Sequence, residues 1–167
     1  MSIIAGDFVT RLSGGDGNAS GDASLGGVKS SNNAPTTLNG LFDAVSAAEA
    51  LAGDVEYRCI YLHNANATDL MTNAVAFVSA NTPLAGTTID IGVGTAAING
   101  TEQTVANEST APVGVSFSAP TTADTGIALG NIPAGQHKAI WLRRTVTAGA
   151  GSSPSDTFTL GYRCETT

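Results

Sequence analysis

The chain has 167 residues, 42% of them nominally apolar, with fourteen acidic against seven basic side chains and a net charge of −7. That balance argues against binding nucleic acid or an anionic membrane through a general basic surface. With only five Phe, three Tyr and one Trp, the core must be thin and built on Val, Ile and Leu, and a single domain of this size, burying roughly 70% of its unfolded surface, suits a two-layer sandwich better than a large enzyme.

The amino terminus, MSIIAGDFVTRLS, has no basic region followed by a long apolar stretch, and no run approaches the roughly 20 apolar residues of a membrane span. Synthesis and retention in the cytosol are expected. Residues 3–12, IIAGDFVTRL, carry enough aliphatic and aromatic side chains for a short strand or an anchoring segment. From 13 to 40 the chain is dominated by Gly, Ser, Asn, Asp and Ala, with Leu25, Val28 and Leu38 as isolated aliphatic anchors. Such a composition does not bury enough apolar surface to offset chain entropy by itself. Residues 1–40 are therefore expected to be an extended N-terminal arm, a linker or a segment ordered by lying on something else, with residues 41–167 as the body. Asp16, Asn18, Ser20, Asp22 and Ser24 alternate around Gly21 as in a calcium loop, but Gly27 stands where a bidentate Glu is needed, so a plain polar loop is expected.

Leu41, Val45, Ala48 and Ala52 recur at three- and four-residue spacing, which predicts one short helix over 38–52, ended by Gly53. The run GDVEYRCIYLHN at 53–64 then reads as a central strand over 55–63, and 70–80 as a second strand paired antiparallel with it. Residues 87–93 alternate Ile89, Ile91 and Val93 against Asp90 and Gly92, a half-buried period of two. Asn99-Gly100 marks a tight turn into a strand over 101–105. Further short strands are expected at 113–117, 126–129, 139–146 and 157–164. In the last, Phe158, Leu160, Tyr162 and Cys164 share one face. All six prolines fall outside these runs. The expected fold is all-β, a β-sandwich of immunoglobulin-like or jelly-roll type, because strand order is not written in periodicity.

Charge is uneven along the chain. No Lys or Arg lies between Arg58 and Lys138, so one part of the body should be acidic and the strand around Arg143 and Arg144 comparatively basic. Cys59 and Cys164 sit in the similar triplets Tyr57-Arg58-Cys59 and Tyr162-Arg163-Cys164 and are expected as buried thiols. His63 and His137 lie on different elements without metal-ligand spacing and are expected as surface or turn histidines. No nucleophile–base pattern or nucleophile elbow is present in the sequence, so neither enzymatic activity nor a cofactor is expected.

The segments Leu41-Phe42-Asp43, GDVEYRCIYLHN at 53–64, PAGQ at 133–136 and IWLRRTV at 140–146 resemble segments of small structural proteins of tailed bacteriophages, over roughly residues 40–164. Among such proteins the layout is most similar to a capsid decoration, or cement, protein. The resemblance implies a virion protein on the capsid exterior, with the major capsid protein and copies of itself, as a homotrimer, for partners, and with no nucleic acid or membrane. It implies Ile3, Ile4, Phe8, Val9 and Leu12 as arm anchors and Arg143 with Arg144 as polar contacts at a subunit interface. A body that folds without residues 1–37 is expected on that reading. The alternatives are a tail, neck or baseplate component and, from a different class, a carbohydrate- or receptor-binding module, for which Trp141 would be the one tryptophan to stack a sugar and is expected in the core instead.

Overall fold

In the computed structural model, which describes residues 2–153 and 155–165, the strands are β1 (Phe8–Leu12), β2 (Gly26–Gly27), β3 (Asp54–Asn64), β4 (Met71–Ala80), β5 (Thr87–Val93), β6 (Glu102–Thr104), β7 (Ile127–Ile132), β8 (His137–Val146) and β9 (Thr159–Glu165). A four-stranded sheet in the order β1-β3-β8-β5 faces a three-stranded sheet in the order β7-β4-β9, and β2 with β6 forms a small ribbon. All pairings are antiparallel. The all-β, sandwich-like fold expected from the alternating runs is the fold observed.

The architecture follows from β3 and β8 being covered on both faces. Ile60, Leu62, Ile140 and Leu142 point between the sheets, where they meet Met71, Ala76 and Val78 of β4, Ile89 and Ile91 of β5, and Leu129 and Ile132 of β7. The intervening Tyr57, Cys59, Tyr61, Ala139 and Trp141 form a second core on the outer face with Val105, under a lid of loops that brings in Leu25, Val115 and Phe117. Strands buried on both faces read as near-continuous apolar runs, as 59–62 and 139–142 do, whereas β5 keeps a simple alternation. Trp141 is fully buried in the outer core.

Consecutive strands do not form the expected hairpin. β3 pairs with β1 and β8, while β4 crosses to the opposite sheet and pairs with β7 and β9. The crossing is organised by Asn64, whose side-chain amide donates to the carbonyls of Asp69 (2.9 Å) and Ile132 (2.8 Å), and by Asn66, whose side-chain oxygen accepts from the N–H groups of Thr68 and Asp69. These bonds hold the chain in a compact corner.

The helix, α1, covers only Ala47–Ala52. Ser46 caps it, accepting from the Glu49 N–H while the Glu49 carboxylate takes the Ser46 N–H, and Gly53 ends it at φ 81°. Leu41 and Phe42, expected within the helix, instead pack on the core between the sheets. Residues 113–117 form no strand. The Gln103 side chain satisfies both the N–H and the C=O of Val113 at 2.8 Å, and only Ser118 bridges to Ile91. Gly26 is required where it stands. At φ 95° it lies so close to β6 that a Cβ would fall 1.8 Å from the Gln103 carbonyl oxygen.

The expected division at residue 40 marks no boundary in the packing. β1 pairs with β3 along its whole length, and Leu12 is fully buried. Residues 30–34 then return along the other edge of β1, through Leu12 N–H to Asn32 O (3.1 Å), Ser30 N–H to Leu12 O (2.8 Å) and Ala34 N–H to Thr10 O (2.9 Å). Between them the glycine- and serine-rich loop lies on the body. Cys59 N–H donates to Ser24 O at 2.7 Å, Val105 N–H to Leu25 O at 3.0 Å, and Ser13, Ser24 and Ser30 are fully buried and hydrogen-bonded. A segment too polar to build its own core is ordered by donors and acceptors that the body supplies. Within it the Asn18 side-chain amide donates to the Ser13 and Ser20 carbonyls. Cys59 and Cys164 are free thiols, the first buried and the second half-buried on the opposite sheet.

Two outcomes follow. Deleting residues 1–37 should abolish cooperative unfolding, because it strips a strand from β3. Leu12→Ala should cost about 2–5 kcal/mol in urea-melt stability, the range for truncating a fully buried Leu.

Candidate functional site

Three charged side chains are buried where the inner face of the large sheet meets its capping loops. Arg58 of β3 is wholly buried. Its guanidinium donates to Leu41 O (3.1 Å), Tyr57 O (3.1 Å) and the Glu108 carboxylate (2.6 Å), and lies 3.4 Å from Asp22 and 3.8 Å from Glu56. Arg144 of β8, directly opposite Glu56 in the register, bonds the Glu56 carboxylate, the Asp43 carbonyl and the Asp43 carboxylate (2.8 Å). Both guanidiniums lie over the Phe42 ring, at 5.2 Å and 5.1 Å from its centroid, a cation–π contact strengthened by desolvation. Glu56, only 2% exposed, sits between the two arginines. The group ties three loops, through Asp22, through Leu41 to Asp43 and through Glu108, to β3 and β8.

This changes the expected role of the 143–144 pair. As neighbours on a strand, Arg143 and Arg144 point to opposite faces. Arg144 is internal and cannot reach a partner. Arg143 is half-buried on the outer face, bound to Asp90 directly across β5 (3.1 and 2.7 Å) and lying over Phe117 at 5.0 Å. The strand expected to be basic is thus neutralised by Asp90, Asp43 and Glu56.

The N-terminal anchors also separate. Leu12 is internal and committed to the fold. Val9 faces the outer side, opposite His63. Ile3 and Phe8 are half-buried against the core, and Ile4 is 64% exposed. Ile3, Ile4 and Phe8 line a groove of about 430 Å³ with Tyr162, Arg163 and Cys164 of β9. Beside it a cavity of about 480 Å³ opens between the sheets under residues 34–45, walled by Thr10, Leu41, Phe158, Leu160 and Tyr162. Tyr162 joins the two, stacking on Phe8 at 6.4 Å and hydrogen-bonding Thr10 at 3.1 Å. Burial pushes the Tyr162 phenol up to about 12, so it stays neutral. Among the described residues no strand pairs with the other edge of β9. Three strands here face four, extended further by 30–34, and the apolar side chains along this β1/β9 side are only partly covered. This seam is the candidate association surface.

The histidines, expected as unrelated surface or turn residues, stand directly opposite each other in the β3–β8 register. Burial, Lys29 and Arg11 hold His63 below its ordinary value. Burial and Lys29, with His63 adding, do the same to His137. Among the described residues no cluster of three or more His, Cys, Asp or Glu side chains could hold a metal ion, and no helix is long and apolar enough to cross a membrane. Searches against protein families, curated proteins and solved structures find no match in any of the three.

Burial pushes the Glu56 carboxyl up to about 7 against the opposing pull of Arg144 and Arg58. Between the ordinary carboxyl range and about 7, the folded protein holds a proton that the unfolded chain has released. The contribution of this group is therefore complete at low pH and lost as pH rises through about 7. Glu56→Gln should flatten that part of the decline in Tm between pH 5 and 8, and Glu56→Ala should cost about 3–5 kcal/mol by leaving buried guanidinium groups short of an acceptor. Thermal melts across that pH range check both.

Proposed function

We propose that the chain is a non-enzymatic structural subunit of a phage virion, binding the outer surface of the head shell as an oligomer and reinforcing it. The resemblance of residues 40–164 to small virion proteins motivates this reading. The observation that supports it best is the β1/β9 seam. A sandwich whose loops are pinned by buried ion pairs is a stiff body, and in this one the outer edge of β9 and a half-covered apolar groove lie together, next to exposed Ile4. An extended segment of a capsid subunit or of a second copy of the chain would complete the sheet and cover the groove, with main-chain hydrogen bonds supplying affinity and the side-chain pockets supplying register.

Repetition over a shell then turns weak single contacts into firm attachment, because each further contact is made at high effective concentration. The proposed partners are the major capsid protein and copies of this chain, arranged as a homotrimer on the capsid exterior. With Trp141 sealed in the outer core, a sugar-binding reading has no exposed tryptophan to act as a stacking platform.

The test is to mix the purified chain with matched expanded heads that lack it and to count and locate bound copies by cryo-electron microscopy. Saturable binding at hundreds of copies per head is expected, with Ile4→Asp weakening it at least tenfold while leaving Tm unchanged. Failure to bind heads, with the protein found instead at the tail or neck of native particles, would overturn the head location and place the same seam in a ring or tube.

A further inference from the structure

Of the seven cationic side chains, Arg58, Arg143, Arg144 and Arg163 each face a carboxylate within ion-pair distance. Arg11, Lys29 and Lys138 make no ion pair among the described residues. Lys138 is spent on the Ala96 carbonyl, with Glu102 nearby. The other two converge with both histidines on the outer face of the large sheet. Arg11 lies opposite Tyr61 in the β1–β3 register, His63 is two residues further along the same face of β3, and His137 is directly across from His63 on β8, edge-on to the Tyr61 ring at 4.9 Å. Lys29 enters this corner from the loop beside β1, flanked by Val28, whose carbonyl accepts from the Gly15 N–H (2.9 Å), and by Ser30, whose N–H donates to Leu12 O (2.8 Å), and its charge acts on Arg11, His63 and His137.

The nitrogen atoms here are left over as well. Arg11 Nε, His63 Nδ1 and His137 Nδ1 are each shielded from solvent with no hydrogen-bond partner among the described residues, although the backbone of Gln136 and of Gly100 stands within hydrogen-bond reach of the two rings. Arg11 spends one terminal nitrogen on Ser31 O, and Lys29 gives one hydrogen bond to Ser30 O at 3.3 Å, which leaves the ammonium two further protons. Like charges gathered without counter-charge destabilise one another. The acids near the cluster relieve it only in part: Asp16 opposes the shift of Lys29 from the exposed side of the loop but is outweighed by burial and Arg11, and Glu102 is held by Thr95, Ala96 and Gln103.

We propose that Arg11, Lys29, His63 and His137 form a binding site for a small free oxyanion carrying two negative charges, of the phosphate type. Two fixed positive charges and four nitrogen-bearing groups match a dianion with several acceptor oxygens better than the single charge and two oxygens of a carboxylate. Bound charge also favours the protonated imidazoles, so anion binding and histidine protonation reinforce each other. The site is independent of the capsid reading, since it lies on the outer face of the large sheet and not on the β1/β9 seam.

The experiment is an NMR titration of the histidine ring signals in the full chain, with inorganic phosphate as probe, sodium chloride holding ionic strength constant, and acetate as the carboxylate arm. Sulfate, a dianion at every pH from 5 to 8, separates histidine protonation from that of phosphate. Saturable shifts of both histidines with phosphate and sulfate are expected, with their titration midpoints rising by about 1 pH unit. Lys29→Gln should weaken binding about tenfold, the loss expected for one charge-assisted contact, whereas Asp124→Asn, in the exposed turn at Ala123–Thr125, should leave it unchanged. Absence of a saturable shift in the unmodified protein, or an equal response to acetate, would overturn the proposal. So would undiminished binding by a folded Lys29→Gln variant.

Discussion

Arg58, Glu56 and Arg144 lose their water together, and everything on the inner face of the large sheet has to accommodate that fact. Moving one such ion into a dry interior costs of order 20 kcal/mol in the idealised limit, so the arrangement is tolerable only where acceptors surround the guanidinium groups. They do so from three loops and two strands: Asp22, Leu41 and Asp43, and Glu108 bring in segments that have few apolar residues of their own. A hydrophobic cluster of equal volume would hold the sheets together as well. It would not dictate where each loop lies, because apolar contact is not directional whereas a guanidinium fork is. The stiffness of this body is therefore set by directional bonds more than by the size of its core.

The outer face solves the same problem by different means. A four-stranded sheet with a second apolar cluster beneath loops would ordinarily need large side chains from those loops, yet they offer little beyond Leu25, Val105, Val115 and Phe117. Polar connections make up the difference. The Tyr61 hydroxyl donates to Gly27 O and accepts from the Glu102 N–H, while the Glu102 carboxylate gathers Thr95, Ala96 and Gln103. Burial alone would raise that carboxyl, but these hydrogen bonds outweigh it and hold it below its ordinary value. A thin aromatic inventory is thus compatible with two cores because buried hydrogen bonds, not apolar bulk, fasten the covering loops.

Much of the strand layout was legible in the residues. Alternation located 87–93 to the residue and placed the runs at 54–64, 71–80, 137–146 and 159–165 within a few positions, because each carries its own period of two or a continuous apolar stretch. What escaped was non-local. Nothing near Asn64 says that β4 will cross to the far sheet, and nothing near His63 says that His137 will lie opposite it, since register joins positions more than seventy residues apart. The loop at 13–30 poses a related problem: its low apolar content implies order only by lying on something else, and the sequence does not say that this is the body, because its backbone partners belong to other elements. Arg58 did leave a local signal, a charge inside an otherwise apolar strand, and such a residue is either a mistake in the strand assignment or the centre of a buried polar network. For the candidate site, composition groups Ile3, Ile4, Phe8, Val9 and Leu12, and the structure sorts them: Ile3, Ile4 and Phe8 line one groove, Val9 lies on the outer face and Leu12 is internal. Arg143 and Arg144 look like a pair in sequence, but strand geometry sends neighbours to opposite faces.

The order β1-β3-β8-β5 also sets a timetable. The strand with most of the buried surface, β3, is made early, yet one of its two neighbours is β8, at residues 137–146. While the chain emerges from the ribosome, β3 must wait for some eighty further residues with one edge bare, and Cys59 to Leu62 are then an apolar template for any other strand in reach. Contacts this distant in sequence slow folding, because the loop has to close before the pairing is gained. High-level production should for this reason be limited by what happens to the half-made sheet, and slower elongation or lower temperature should matter more to the yield of native protein than the stability of the finished sandwich.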